Sequence, residues 1–417
     1  MKLRKTFPFI FVLLTVVSVT GCYRESRNKE ELKENINGAL ETYDTVSAFD
    51  GYNLVNGCGI YDMNGQHLLS YPGQECRYYA NGDIVAGIDM NYLSMYHQDL
   101  SPLWKTANFG EHGVHHDIYL ADDSSVYFLS SEIKKFPIEH GAKATGIRSL
   151  WGNKGFASFN DIHPFYINGP VRFDSLRVDL LYHVSPKGIV LSKWSSLEQL
   201  AALKKIITAT PRSAVYCDSL ERLVAEYFHF NSVQPLPHNP FEKEHPEFKA
   251  GNLLLSEMYF DMVFIMDPNT FKILWSYFQP EQNGHGQHTA RMQPNGIITM
   301  FVNQSTLPDS KRSKYSKVID LNPLTKKIEW EYVANPPASF YAPYKGNAQR
   351  LPNGNTLITV GQWGKYSPVL PESNYAFEVT PKKKVVWKWK PDVEKLDNAD
   401  LYRVTRVSKK EMEQFIK

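Results

Sequence analysis

Neither sign of charge prevails in this chain: 46 Lys and Arg stand against 44 Asp and Glu, a formal net charge of +2 over 417 residues. A surface that gathers phosphates needs a basic excess, so a nucleic-acid partner is excluded, and the run Lys382 to Lys384 reads as a solvated face. Long apolar runs are missing too. The stretch from Phe7 to Val19 is shorter than the roughly 20 residues that cross a bilayer, which argues against a transmembrane anchor. Cysteine is scarce, with 4 in all. Beyond Cys22 there remain Cys58, Cys76 and Cys217, an odd number that excludes complete pairing. Cys58 and Cys76 sit in neighbouring strand-like segments and are the preferred disulfide, while Cys217 reads as a buried thiol.

What is present begins with the N-terminus. Lys2, Arg4 and Lys5 precede the apolar run, which ends at Thr20-Gly21-Cys22. Basic residues, a short apolar core and small residues leading into a cysteine make a secretory signal with a lipobox, residues 1–21. In its resemblance to bacterial lipoproteins, Cys22 becomes the acylated first residue and holds the protein on a membrane leaflet. Tyr23 in place of Asp directs it, by analogy, to the outer membrane of the cell envelope, facing the periplasm. Residues 22–48, polar and with weak helical spacing from Glu30 to Thr42, read as a lipidated tether.

From Gly51 onward, short runs of Val, Ile, Phe, Tyr and Trp alternate with turn signals such as Asn64-Gly65, Asn81-Gly82 and Pro294-Asn295-Gly296. An internal repeat orders them. VFIMDPNTFKILWSYF leads into QHTARMQPNGIITMF, and KVIDLNPLTKKIEWEYV leads into KGNAQRLPNGNTLITV. Each copy runs strand, Asx turn, strand ending near Trp275 or Trp330, loop, and two strands around Pro-Asn-Gly. Weaker copies stand upstream, and FEVTPKKKVVWKW is expected to close the series. A unit of this kind buries its faces only by stacking on neighbours, so residues 49–417 are expected to form an all-β, six-bladed β-propeller, although five or seven blades also fit the length. A helical insertion is expected at 195–228. Its two helices are SLEQLAALKKI and DSLERLVAEYF, with capping boxes at Ser196/Gln199 and Asp218/Glu221.

Three repeat copies carry a histidine at one register position: His116 before Asp122, His229 before Pro235 and His288 before Pro294. Gly346 occupies that position in the last clear copy. Equivalent points of successive blades lie at one radius and height, so the three imidazoles are expected to share a central cavity. A lone His that satisfies a turn is the ordinary alternative, and register across three copies weighs against it. Neutral imidazole is a good nucleophile, and neighbouring rings supply acid and base. Three imidazoles also suit a metal such as Zn²⁺.

These motifs resemble those of the PAPS-independent aryl sulfotransferases, periplasmic propellers that pass a sulfuryl group from one phenol to another through a sulfated histidine. The likeness rests on HHD at 115–117, HFNSV at 229–233, GNLLLSEMYFDMVFIMDPNTFKILW, and QHTARMQPNG followed by FVNQ. It implies an aryl sulfate donor, a phenolic or hydroxyl acceptor, no cofactor and no metal. His288 would be the sulfated nucleophile, with His229 and His116 binding sulfate oxygens or handling the phenolic proton. Asn231, His115, Arg291 and Asn303 would line the substrate site, with Gln304, His112 and His285 near it.

One departure stands out. The family places an Arg in a Ser-x-Arg strand, where this chain reads Ser256-Glu257-Met258. Arg291, Lys345 or Arg350 is then needed to replace the sulfate-clamping charge. A non-catalytic propeller that binds a ligand, surface glycan or envelope protein is the competing expectation.

Overall fold

The computed structural model describes residues 37–56, 58–79, 81–88, 92–106, 109, 113–135, 175–207, 214–217, 223–226, 228–278, 286–303, 315–343, 345–361, 374–396 and 401–416. The leader, Cys22, most of the tether, Asp218, Glu221, His112, His285 and Gln304 lie outside them.

The chain is a six-bladed β-propeller. Strand β1 (Ala39–Tyr43) comes first, then β2 (Tyr52–Val55), β3 (Gly59–Tyr61) and β4 (His67–Ser70) of the first blade. The second blade holds β5 (Gln74–Tyr78), β6 (Ile84–Ile88), β7 (Tyr92–Tyr96) and β8 (Pro102–Lys105). The third holds β9 (Val114–Leu120), β10 (Val126–Lys135), β11 (Ser175–Val184) and β12 (Val190–Ser195), followed by α1 (Leu200–Ile206), β13 (Ala214–Cys217) and β14 (Leu223–Glu226). The fourth comprises β15 (Phe230–Pro235), β16 (Leu253–Glu257), β17 (Met262–Met266) and β18 (Ile273–Phe278). The fifth comprises β19 (Gln287–Met292), β20 (Ile298–Val302), β21 (Lys317–Asn322) and β22 (Lys327–Tyr332). The sixth has β23 (Asn347–Arg350), β24 (Thr356–Val360), β25 (Tyr375–Val379) and β26 (Val385–Lys390), after which come β27 (Val404–Val407) and α2 (Lys409–Ile416).

The repeated residues explain why these strands form blades. Asp267 accepts from the main-chain N–H of Asn269 and Thr270, and Asn322 does the same for Leu324 and Thr325, closing the last hairpin of the fourth and fifth blades. The Pro-Asn-Gly turns need glycine: Gly296 has φ +84°, and a Cβ there would stand 2.4 Å from the Phe241 ring. The recurring tryptophans join blade to blade. Indole N–H groups of Trp104, Trp275, Trp330 and Trp387 donate to the carbonyls of Pro186, Pro323, Pro381 and Met63, each on the last hairpin of the next blade. Buried apolar side chains fill the seams between adjoining blades. Leu254, Val263 and Ile265 meet Ala290, Met300 and Ile319 in one seam, and Phe301 and Val318 meet Ile358 and Phe377 in the next. Truncating one such Phe removes about 3–5 kcal/mol.

Three expectations need correction. FEVTPKKKVVWKW does not close the ring; it forms β25 and β26 of the sixth blade. Closure is made by β27, which pairs with β2 as the innermost strand of the first blade. Its Arg406 is fully buried, donating to Asn53, to the Phe49 carbonyl and to the Glu378 carboxylate of the sixth blade. Second, the propeller starts inside the stretch read as a tether, because β1 pairs with β26 as a fifth strand where a helix was expected. Third, the 195–228 insertion has one helix among the described residues. Leu203 anchors α1 against the seam that holds Trp194 and Phe230. Ser196 does not cap it, because its main chain and hydroxyl both bond to Asp179 of β11. The second expected helix, DSLERLVAEYF, is strand at residues 223–226: these form β14, which pairs with β13 and runs parallel to β11. Val224 and Glu226 are both buried, a period of two that the helical reading overrode.

Candidate active site

The histidines converge because the inner strands bulge beside them. Register slips where β9 passes His115 to Asp117 against β10, at Asn231 of β15, and at Thr289 of β19. The backbone at His116 and Thr289 is left-handed, with φ of +60° and +54°. A bulge re-aims the side chain next to it. The His116 ring centroid lies 4.7 Å from that of His229 and 6.3 Å from that of His288, and the last two are 6.4 Å apart. Gly346, at the corresponding place, has no room for a side chain: a Cβ would stand 2.5 Å from Phe301.

His288 is fully buried. Its Nδ1 lies 2.7 Å from Asn303 Oδ1, and the Asn303 amide is fixed in orientation because Nδ2 donates to the carbonyls of Ala342 and Lys345. Asn303 can therefore only accept from His288, so the proton sits on Nδ1 and Nε2 carries the free lone pair. That Nε2 is buried and has no hydrogen-bond partner among the described residues. Burial depresses the basicity of the ring to a pKa of about 3 against the pull of Asn303, with further depression from His229, Arg403 and Lys345. At neutral pH the nucleophilic lone pair is free. Asn303, expected to touch substrate, is thus engaged in setting the His288 tautomer.

The other rings form a chain. His229 Nδ1 lies 3.0 Å from Glu226 Oε1, and its Nε2 lies 3.1 Å from His116 Nε2. His116 Nδ1 lies 2.6 Å from His115 Nδ1. Burial raises the Glu226 carboxyl, but Arg177 at 2.6 Å and His229 outweigh it and hold the group ionised. The Tyr259 hydroxyl donates to its other oxygen. An ionised Glu226 accepts from His229 Nδ1–H, so in the neutral ring Nε2 accepts from His116 Nε2–H, and His116 Nδ1 accepts from His115. Burial lowers the proton affinity of His115 and His116 well below the ordinary value, with like-charge neighbours adding to it.

Behind the imidazoles lies a second charged layer that the sequence motifs only partly announced. Asp117, the last residue of HHD, is buried and takes Arg403 at 2.8 Å, Arg77 at 3.2 Å and Arg291. Burial pushes its pKa up, yet Arg291, Arg403 and Arg77 win and hold it at about 2. Arg291 Nη1 donates to the Val233 and Ala290 carbonyls while Nη2 holds Asp117, so it braces Asp117. Arg350 pairs with Asp320 and lies over Trp330. Met258 packs among Phe228, Tyr259 and Phe260 in the seam between the third and fourth blades. The cations whose field reaches His288 are Lys345 and Arg403. Sequence reasoning missed Arg403. Its Nη2 donates to the His116 carbonyl, and its buried Nε has no acceptor among the described residues. The adjacent Tyr402 ring stands 5.8 Å from His116 and 6.5 Å from His288, and its buried hydroxyl likewise has no partner among the described residues. Asn231 Nδ2 donates to the Gln287 carbonyl, tying β15 to β19 beside His288.

Cys58 and Cys76 form a disulfide between the first and second blades. Cys217 lies in β13, its side chain outside the described residues.

The sequence model of the arylsulfotransferase (ASST) family matches residues 145–381. No curated protein matches the chain. Among solved structures, a Bacteroides caccae protein of unknown function is 16% identical, with a TM-score of 0.49, covering 85% of this chain and 98% of that one. The Dos1 propeller is 12% identical, with a TM-score of 0.38 and coverage of 84% and 75%. Kuenenia stuttgartiensis hydrazine synthase is 8% identical, with a TM-score of 0.39 and coverage of 76% and 65%.

Proposed function

The chain belongs to the arylsulfotransferase family, and on that premise we propose that it carries a sulfuryl group from an aryl sulfate to a phenolic acceptor through His288. The observation that supports this reading is the buried Nε2, without a partner among the described residues, of a ring whose Nδ1 proton is held by Asn303. In the first half-reaction, an N–S bond forms from His288 Nε2 as the ester O–S bond breaks. The departing phenoxide takes a proton from His229, which acts as an imidazolium acid backed by the Glu226 carboxylate, directly or through His116. In the second, the neutral His229–His116 pair removes the acceptor's phenolic proton, the new phenoxide attacks sulfur, and the N–S bond breaks. Arg403 Nε and Lys345 supply the positive field that the sulfuryl oxygens require, replacing the cation absent at Met258.

The lipobox at Cys22 places this activity, in our proposal, on the envelope membrane facing the periplasm, where phenolic substrates need no nucleotide carrier. Incubation with a chromogenic aryl sulfate tests the assignment. Intact mass is expected to rise by one sulfuryl group in the wild type and not in folded His288→Ala. A protein that stays unmodified across several donors would favour the non-catalytic, ligand-binding alternative.

A further inference from the structure

We propose that His116, His229 and His288 also form a binding site for one divalent transition-metal ion of the zinc class, and that a bound ion blocks sulfuryl transfer. One ring nitrogen from each residue lies within 4.8 Å of the others. The Nε2 atoms of His116 and His229 are 3.1 Å apart, close to the edge of about 3.3 Å expected between two nitrogens each about 2.0–2.1 Å from a tetrahedral zinc. Tetrahedral ligation needs the His288 nitrogen to close from within 4.8 Å of the other two to about 3.3 Å.

The surroundings are those of a ligand set. In each ring the nitrogen that would not bind metal is already held: His229 Nδ1 by Glu226, His288 Nδ1 by Asn303 and His116 Nδ1 by His115. Such outer partners fix tautomer and ring orientation and raise ligand basicity. The lone pair of His288 Nε2 is buried without a partner among the described residues. An all-imidazole set selects zinc, copper, nickel or cobalt over magnesium and calcium. Three protein ligands also leave a fourth position open. Facing the cluster are the anionic Glu226 behind His229 and the cations Arg177, Arg403 and Lys345. Arg177 is paired to Glu226, and Arg403 to Asp117 and Glu75.

Exclusion follows from valence, and this part of the inference rests on the reading of His288 as nucleophile. The lone pair that attacks sulfur is the one that would bind metal, and it can do one or the other. The ion also replaces the proton shared by His116 and His229, removing the acid that the leaving phenoxide needs.

Chelator-treated full-length protein titrated with zinc chloride, followed by competition with a metal-indicator dye, reads the site directly. One ion per chain is expected. His288→Ala and His116→Ala should abolish uptake, Asn303→Ala should weaken it by about 10–100-fold, and His238→Ala, on the exposed surface, should leave it unchanged. If an alanine variant fails to fold, His288→Gln keeps most of the side-chain volume and serves instead. Uptake below one equivalent, or uptake indifferent to His288 and His116, overturns the site. The sulfation assay is then run with and without zinc. Loss of sulfation with zinc and its return with chelator supports exclusion, and sulfation undiminished at full zinc occupancy overturns it. Zinc uptake by a protein that is never sulfated, even without metal, would leave the site standing and remove the proposed function.

Discussion

Replacement of Asn303 by alanine isolates the step on which the nucleophile depends. Asn303 Oδ1 accepts the only proton of a neutral His288 ring at 2.7 Å. As Nε2 bonds to sulfur, positive charge spreads to Nδ1 and the contact becomes charge-assisted, so it is worth most in the transition state. A hydrogen bond to a charged group contributes about 1.5–3 kcal/mol. At 1.36 kcal/mol per tenfold in rate, its loss slows sulfation by about 10- to 150-fold. Release of the ring to the other tautomer, with the proton on Nε2, adds to the defect. The substitution also takes the Nδ2 donor from the carbonyls of Ala342 and Lys345, of which Ala342 keeps the Ser316 hydroxyl, at a cost of about 1 kcal/mol for each bond lost. Ser316→Ala is the control, since its hydroxyl donates to the Asn303 carbonyl and accepts from Ala342 N–H without touching His288. Single-turnover sulfation followed by intact mass, with urea melts of all three proteins, separates the two effects. Folded Asn303→Ala protein that is sulfated at the wild-type rate would refute the tautomer argument.

The remaining expectations concern the charges around the site and the scaffold. Arg403→Gln should lower kcat/KM for an aryl sulfate by about 10- to 100-fold, the value of one charge-assisted contact, and Met258→Gln, in an apolar seam, should not; steady-state kinetics decide. Asp117 has its pKa held from the ordinary 3.8 to about 2, so its ionised form contributes about 2 kcal/mol of stability that is complete above pH 3.8 and lost as pH falls toward 2. Urea midpoints at pH 5 and pH 2.5 should show that loss, and Asp117→Asn, less stable throughout, should lack this part of it. Reduction of Cys58–Cys76, which closes a loop of sequence separation 18, should cost about 3 kcal/mol by loop entropy, measured as the drop in unfolding free energy of Cys58→Ala/Cys76→Ala.

What was legible in the sequence is what repeats. Trp275 and Trp330 mark blades because each donates its indole N–H to the next blade's hairpin, a contact made the same way at every seam it serves. The histidine register was legible for the same reason, since each ring stands at or within two residues of a bulge in its inner strand. Where repetition ends, so does the inference. Glu226 sits in DSLERLVAEYF, whose apolar spacing fits a helix, but a buried pair with Arg177 and pairing to β11 make it a strand. The period of two over Val224 and Glu226 is too short to outweigh the helical spacing around it without those tertiary contacts.

The missing cation makes the same point from the other side. A motif comparison looks for positive charge where the family keeps it, at the position of Met258, and finds a core residue. In a closed ring, however, the axis is reached from every blade, so a charge lost from one can be supplied by another. Arg403 stands just before β27, the strand that leaves the C-terminal end of the chain to complete the first blade. It reaches Asp117 and the His116 carbonyl because closure carries it there. Residues 403 and 117 are remote in sequence, and the closed topology is what brings them into contact. Ring closure is thereby coupled to the electrostatics of the site: a chain that folds its other strands but fails to seat β27 would keep His288 and lose the cation beside it.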